Sequence, residues 1–143
     1  MLDRFRVAYR FDGMRREVLV HVYETVDEMQ AAAKTYDGRD VPDAGAAFRG
    51  FGYWVPGGMP AESFNGPIGV VLLCRELTTV EVVSHEMTHA AMHAYESLKI
   101  GHPDDPLGEH FHGGNEAPAY FVGGWTANAL LALSRRGYAV TIH

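Results

Sequence analysis

The chain has 143 residues, 47% hydrophobic and 21% charged, with a net charge of −6; this is the balance of one folded domain with a real core, and nothing in it suggests disorder. Its only adjacent basic pairs are Arg15-Arg16 and Arg135-Arg136. Beyond these pairs no basic run or aromatic platform stands out along the sequence, so a nucleic-acid partner is not expected. A single cysteine, Cys74, excludes an internal disulfide and a cysteine-rich zinc site, and no apolar run approaches the roughly 18–20 residues of a membrane span, so no membrane association is expected.

The N-terminal stretch MLDRFRVAYRF is charged and lacks a long apolar run, so it does not read as a signal peptide, and a cytoplasmic location is the expectation. Within it, Phe5, Val7, Tyr9 and Phe11 alternate as in a half-buried strand. The turn FDGMRR leads to EVLVHVYE, apolar on both faces and therefore central in a sheet; the two strands predict a hairpin. His21, inside the second strand, reads as a hydrogen-bonded interior histidine. Thr25 and Glu28 form a capping box for a helix bearing Val26, Met29, Ala33 and Tyr36, with Gly38 as its stop.

After a loop, AFRGFGYWV predicts a third strand, in which Gly50 and Gly52 mark a bulge or a close backbone approach. Its aromatics, Phe51, Tyr53 and Trp54, read as core, and this strand or the one after it is a candidate edge for pairing with an extended substrate. IGVVLLC, residues 68–74, predicts a fourth, buried strand that places Cys74 in the core. Thr78 and Glu81 form a second capping box, opening a helix that runs to about Lys99. A final helix is expected from Asn115, an N-cap, to Gly137, with Pro118 in its first turn and Arg135-Arg136 facing its dipole. Gly123-Gly124 within it would allow close approach to another helix. The order β-β-α-β-β-α-α describes one α+β domain over residues 1–143, with a mostly antiparallel sheet and the histidine-rich helix packed on it.

That helix carries SHEMTHAAMH, with His85, His89 and His93 at intervals of four. Residues four apart share one face, about 6 Å apart along the axis, so the imidazoles of His85 and His89 can converge on one ion. Glu86, next to the first of them, can reach a metal-bound water without occupying a coordination position. The pattern is H-E-x-x-H. His93 lies about 12 Å beyond His85 along a continuous helix and cannot share that ion. A metzincin arrangement is excluded as well, because Met92 and Tyr95 stand where its glycine and third histidine would fall. The third ligand comes from elsewhere, the candidates being Asp104, Asp105, Glu109, His110, His112 and Glu116. Glu116 is favoured because it opens a helix, a rigid element that can deliver a carboxylate to the ion.

HEMTH followed by a glutamate at the start of the next helix resembles the gluzincin arrangement. HEMTHAAMH with NEAPAYF also resembles the ImmA/IrrE-like group of small bacterial and phage metallopeptidases, over residues 85–121. His85, Glu86, His89 and Glu116 match that pattern by position, and His93 has a counterpart. Thr88 stands in place of the usual glycine, Pro118 in place of an asparagine, and Tyr120 where thermolysin-type enzymes carry an acidic residue. The resemblance implies a zincin-like domain and a zinc endopeptidase acting on a protein inside the cell. In it His85, His89 and Glu116 would hold zinc, and Glu86 would be the general base. Tyr120 is the first candidate to donate to the developing oxyanion, with His110 and His112 as alternates. Glu81, one turn before His85, could orient that imidazole, although its capping role is the simpler one. The competing expectation is a zincin-fold binding or regulatory module whose zinc is structural or weakly catalytic.

Overall fold

Alternation in the first residues closes into the hairpin it predicts: β1 (Asp3–Phe11) pairs antiparallel with β2 (Met14–Tyr23), with Gly13 at φ 76° in the turn. The computed structural model describes residues 1–11, 13–38, 45–51, 66–98 and 116–142. Within these follow α1 (Val26–Asp37), β3 (Ala46–Gly50), β4 (Pro67–Cys74), α2 (Val80–Leu98) and α3 (Glu116–Arg135), with a 3₁₀ turn at Arg75–Leu77. The molecule is an α+β fold with a mixed four-stranded sheet in the order β1-β2-β4-β3. The two outer pairings are antiparallel, whereas β2 and β4 run parallel at the centre. The two strands whose sequences are apolar on both faces take the inner positions, where both faces are covered.

Each face of the sheet has its own core. Val18, Val20, Val22, Val71 and Leu73 face the apolar sides of α2 and α3, including Met87, Ala91, Phe121 and Trp125. Tyr23, Val70 and Leu72 face Met29 and Ala33 of α1. The period of two along a strand assigns adjacent residues to opposite layers, and so one strand supplies both cores. Cys74 is fully buried, as expected.

The helix ends follow from local chemistry. Thr25 Oγ1 accepts from Glu28 N at 3.2 Å, and Gly38 closes α1 in the left-handed region at φ 75°. At α2 the cap differs from the sequence expectation. Thr79 Oγ1, not Thr78, accepts from Val82 N at 3.0 Å. The 3₁₀ turn after β4 rotates Thr78 inward instead, where its hydroxyl donates to Cys74 O at 2.7 Å. Thr141, near the end of the chain, accepts from Val80 N at 2.8 Å and so occupies another first-turn donor of α2. At the other end of α3, Tyr138 N reaches Leu133 O and Gly137 N reaches Ser134 O, a Schellman closure around Gly137. The Asn115 cap and the Gly52 position lie outside the described residues.

α3 docks on the hairpin. Trp125 Nε1 donates to Arg16 O at 3.0 Å and Asn128 Nδ2 to Ala8 O at 2.7 Å. The glycine pair in α3 works against a strand and not, as expected, against a helix: a methyl group on Gly124 would overlap the Tyr9 ring, while Gly123 has open space around it. His21 differs from expectation too. It is half-buried, and its Nδ1 has no hydrogen-bond partner among the described residues. Burial, and then the charge of Arg4, lower its pKa from 6.5.

Candidate metal centre

α2 leaves β4 through the 3₁₀ turn and runs back across the sheet over β3 and β4, which turns its histidine face toward β3, an outer strand. Three consecutive side chains then separate by azimuth. Met87 is fully buried, Glu86 is 7% exposed, and His85 is exposed at the mouth of a groove. The groove, about 540 Å³, lies between the two elements, with Ala46 and Phe48 on the strand side and His85, Glu86 and His89 on the helix side. The small side chain of Ala46 leaves this space open. A smaller pocket of about 240 Å³ continues past His85 and Glu86 to Glu81.

His85 Nε2 and His89 Nε2 are 3.2 Å apart, with the rings nearly perpendicular at 75°. Two nitrogens bound tetrahedrally to one zinc ion at its usual bond length stand about 3.3–3.4 Å apart, so the pair has the bite the metal requires. Beside them, burial raises the pKa of Glu86 above its ordinary 4.5, and the charges of His85 and then Arg49 oppose that shift. A carboxylate moved toward the neutral range is a stronger proton acceptor than an exposed one. Arg49 was not among the residues singled out from the sequence. Its only signal is its position in β3, beside Phe48. Its guanidinium is held by Ala33 O at 3.3 Å and Phe48 O at 3.2 Å.

His93 does not reach the pair. Its Nε2–H donates to Phe51 O at 2.9 Å, and its ring lies on Gly50, where an added Cβ would come within 2.5 Å of the imidazole. Gly50 is thus the close approach expected in the third strand. His93 ties the end of β3 to α2 and so helps set the groove's width.

Glu116 is the first residue of α3, and its side chain lies outside the described residues, as do His110 and His112. Among the described residues no group of three or more His, Cys, Asp and Glu side chains is arranged to hold a metal ion. Tyr120 is not brought to the imidazoles. Its ring stacks on Phe11 at 4.6 Å and 15°, over β1, the edge strand opposite β3. Three strand spacings, about 14 Å, separate those edges. Glu81 is exposed, lines the smaller pocket, and its backbone carbonyl accepts from Ser84 Oγ at 3.0 Å. No described helix is long and apolar enough to cross a membrane. Compared with known proteins, the chain matches no family model, no curated protein and no solved structure.

Proposed function

We propose that this domain is a zincin-like, zinc-dependent endopeptidase in which His85, His89 and Glu116 hold the metal and Glu86 is the general base. The observation that carries the reading is the 3.2 Å separation of two Nε2 atoms at the mouth of a groove, beside a buried glutamate. A purely structural metal site has no need of that glutamate. Zinc, when bound, supplies a Lewis acid that acidifies water and polarises a peptide carbonyl. Glu86 accepts the proton of the attacking water and passes it to the leaving amine. Among the described residues β3 is an edge strand along the groove, so an extended substrate can pair with its outward backbone groups apart from Phe48 O, which Arg49 takes, while Glu86 faces the scissile bond. The substrate on this reading is a protein or peptide within the cytoplasm.

The test combines metal analysis with cleavage of a quenched fluorescent peptide library. Wild-type protein is expected to bind one zinc per chain and to cleave. Glu86→Gln is expected to keep the zinc and lose cleavage, and Glu116→Ala to lose zinc affinity. Full cleavage by Glu86→Gln would remove the proposed mechanism. Unchanged zinc affinity in Glu116→Ala would remove Glu116 from the ligand set.

A further inference from the structure

The hairpin carries a second surface unrelated to the metal centre. In β1, Arg4, Arg6 and Arg10 alternate with the core residues and therefore share the opposite face of the sheet. The register sets Arg4 across from His21, Arg6 across from Leu19, Ala8 across from Glu17 and Arg10 across from Arg15. Four guanidinium groups and one carboxylate thus lie on one face, a local charge of +3. Subtracting this from the chain's −6 leaves −9 elsewhere. α1 packs on β2, β3 and β4 and, among the described residues, leaves the β1 side of this face uncovered; all four arginines are exposed.

Two features show that the array is held in place. Glu17, only 7% exposed, takes Arg6 on one oxygen at 3.5 Å and Arg15 on the other at 3.2 Å. Arg10 donates to Gly13 O at 3.0 Å. These contacts restrict Arg6, Arg10 and Arg15, and each uses only part of a guanidinium's five N–H donors. Arg10 directly opposite Arg15 is, by contrast, a cross-strand like-charge pair, which destabilises a hairpin. The pKa of His21 is lowered first by burial and then by the charge of Arg4 across from it.

The array spans six residue steps of an extended strand, about 20 Å. All four cations are arginine, whose planar fork suits carboxylates. Between them the hairpin offers Ala8, Leu19 and His21 on this face and, among the described residues of the pairing, no large aromatic on which bases could stack. A long polyanion would also have to pass the −9 of the remaining surface, whereas a short one would not. Addition of a strand at the free edge of β1 is opposed by Asn128, which already occupies Ala8 O, so a ligand would lie across the face. From the placement of Arg4, Arg6, Arg10 and Arg15 on this uncovered face we infer that it is a docking surface for a short acidic segment of another protein.

The probe is a fluorescein-labelled twelve-residue peptide of alternating Glu and Ser, read by anisotropy at 50 and 200 mM salt. Its Lys/Ser counterpart, a twelve-nucleotide single strand and a twelve-base-pair duplex serve as comparisons. The acidic peptide is expected to bind best and to weaken with salt, as screening requires. Arg4→Ser/Arg10→Ser leaves both Glu17 ion pairs intact and is expected to weaken binding about tenfold. Arg75→Ser/Arg135→Ser, which removes the same charge from other surfaces, is expected to change it by less than about twofold. Thermal melts of both variants verify that each is folded. Equal weakening by the two double variants would overturn the assignment of this face. Tighter binding of either nucleic acid than of the acidic peptide, or no binding of the peptide at 50 mM salt, would overturn the acidic-segment partner. Dimerisation abolished by Arg4→Ser/Arg10→Ser in sedimentation would show that the face is occupied by a second copy of the chain, and would overturn it too.

Discussion

His89 and His93 are one helical turn apart on the same face of α2, yet their replacement by alanine should have opposite thermodynamic signatures. His89 is exposed, and its one described contact is with His85 at 3.2 Å. In metal-free protein, His89→Ala should change stability by no more than about 0.5 kcal/mol, since an exposed contact is lost and alanine favours the helix. His93 is half-buried, its Nε2–H satisfies Phe51 O at 2.9 Å, and its ring covers Gly50. His93→Ala removes that donor and leaves a void against β3. The hydrogen bond contributes about 1 kcal/mol and the lost packing about as much again, so a cost of about 2 kcal/mol is expected. Zinc should reverse the comparison. At a free concentration 100-fold above Kd, a ligand bound only by the native state adds about 2.7 kcal/mol, which raises Tm by roughly 6–10 °C in a domain of this size. That increment should vanish in His89→Ala and persist in His93→Ala. The assay is thermal unfolding of the three proteins in EDTA and in a buffered zinc series. An equal zinc-induced rise in wild type and His89→Ala would refute the imidazole pair as the binding site. Loss of the rise in His93→Ala, at temperatures where that variant is folded, would refute the separation of roles.

Glu86→Gln should stabilise the metal-free protein at pH 7. Burial raises the folded-state pKa of Glu86 above 4.5, so the native state holds the proton more tightly than the unfolded chain, and wild-type stability falls as pH rises through that interval. The advantage of the variant should therefore shrink as pH drops toward 4.5, which paired urea titrations at pH 7 and pH 4.5 will reveal. The two glycines of α3 should respond oppositely to alanine. Gly123→Ala, in open space, gains about 0.5–1 kcal/mol of helix propensity, whereas Gly124→Ala meets the Tyr9 ring and should cost about 1–3 kcal/mol, both by chemical denaturation. Trp125→Phe deletes the donor to Arg16 O in the buried core and should cost about 2–4 kcal/mol; a loss below 1 kcal/mol would mean that water replaces it.

Much of the fold is visible in local patterns because local physics decides it. Period-two alternation gave β1, double-sided burial gave β2 and β4 their inner positions, and Thr25 and Gly38 bounded α1 through groups within four residues of each other. The second cap was displaced by one residue because the 3₁₀ turn sends Thr78 inward to Cys74 O, and adjacent threonines do not announce which of them will be buried. The parallel pairing of β2 with β4 was also not apparent, since strand order depends on where α1 carries the chain.

For the candidate site, the sequence by itself determined what a single helix can determine. Rise per residue fixes His85 and His89 as a pair, sets Glu86 beside them and excludes His93 from the same ion. Only the tertiary structure decided what faces that helix. It set β3 along the histidine edge to make the groove, brought Arg49 near Glu86, and gave His93 the carbonyl of Phe51. It drew Tyr120 onto Phe11, because an aromatic residue packs against the nearest apolar ring whatever its place in a motif. It also placed α1 so that, among the described residues, the hairpin face on which strand period and register line up four arginines is left uncovered. A residue's neighbours within a helix or strand follow from its period, whereas its neighbours across layers depend on how strands order and helices dock, and no local pattern records that.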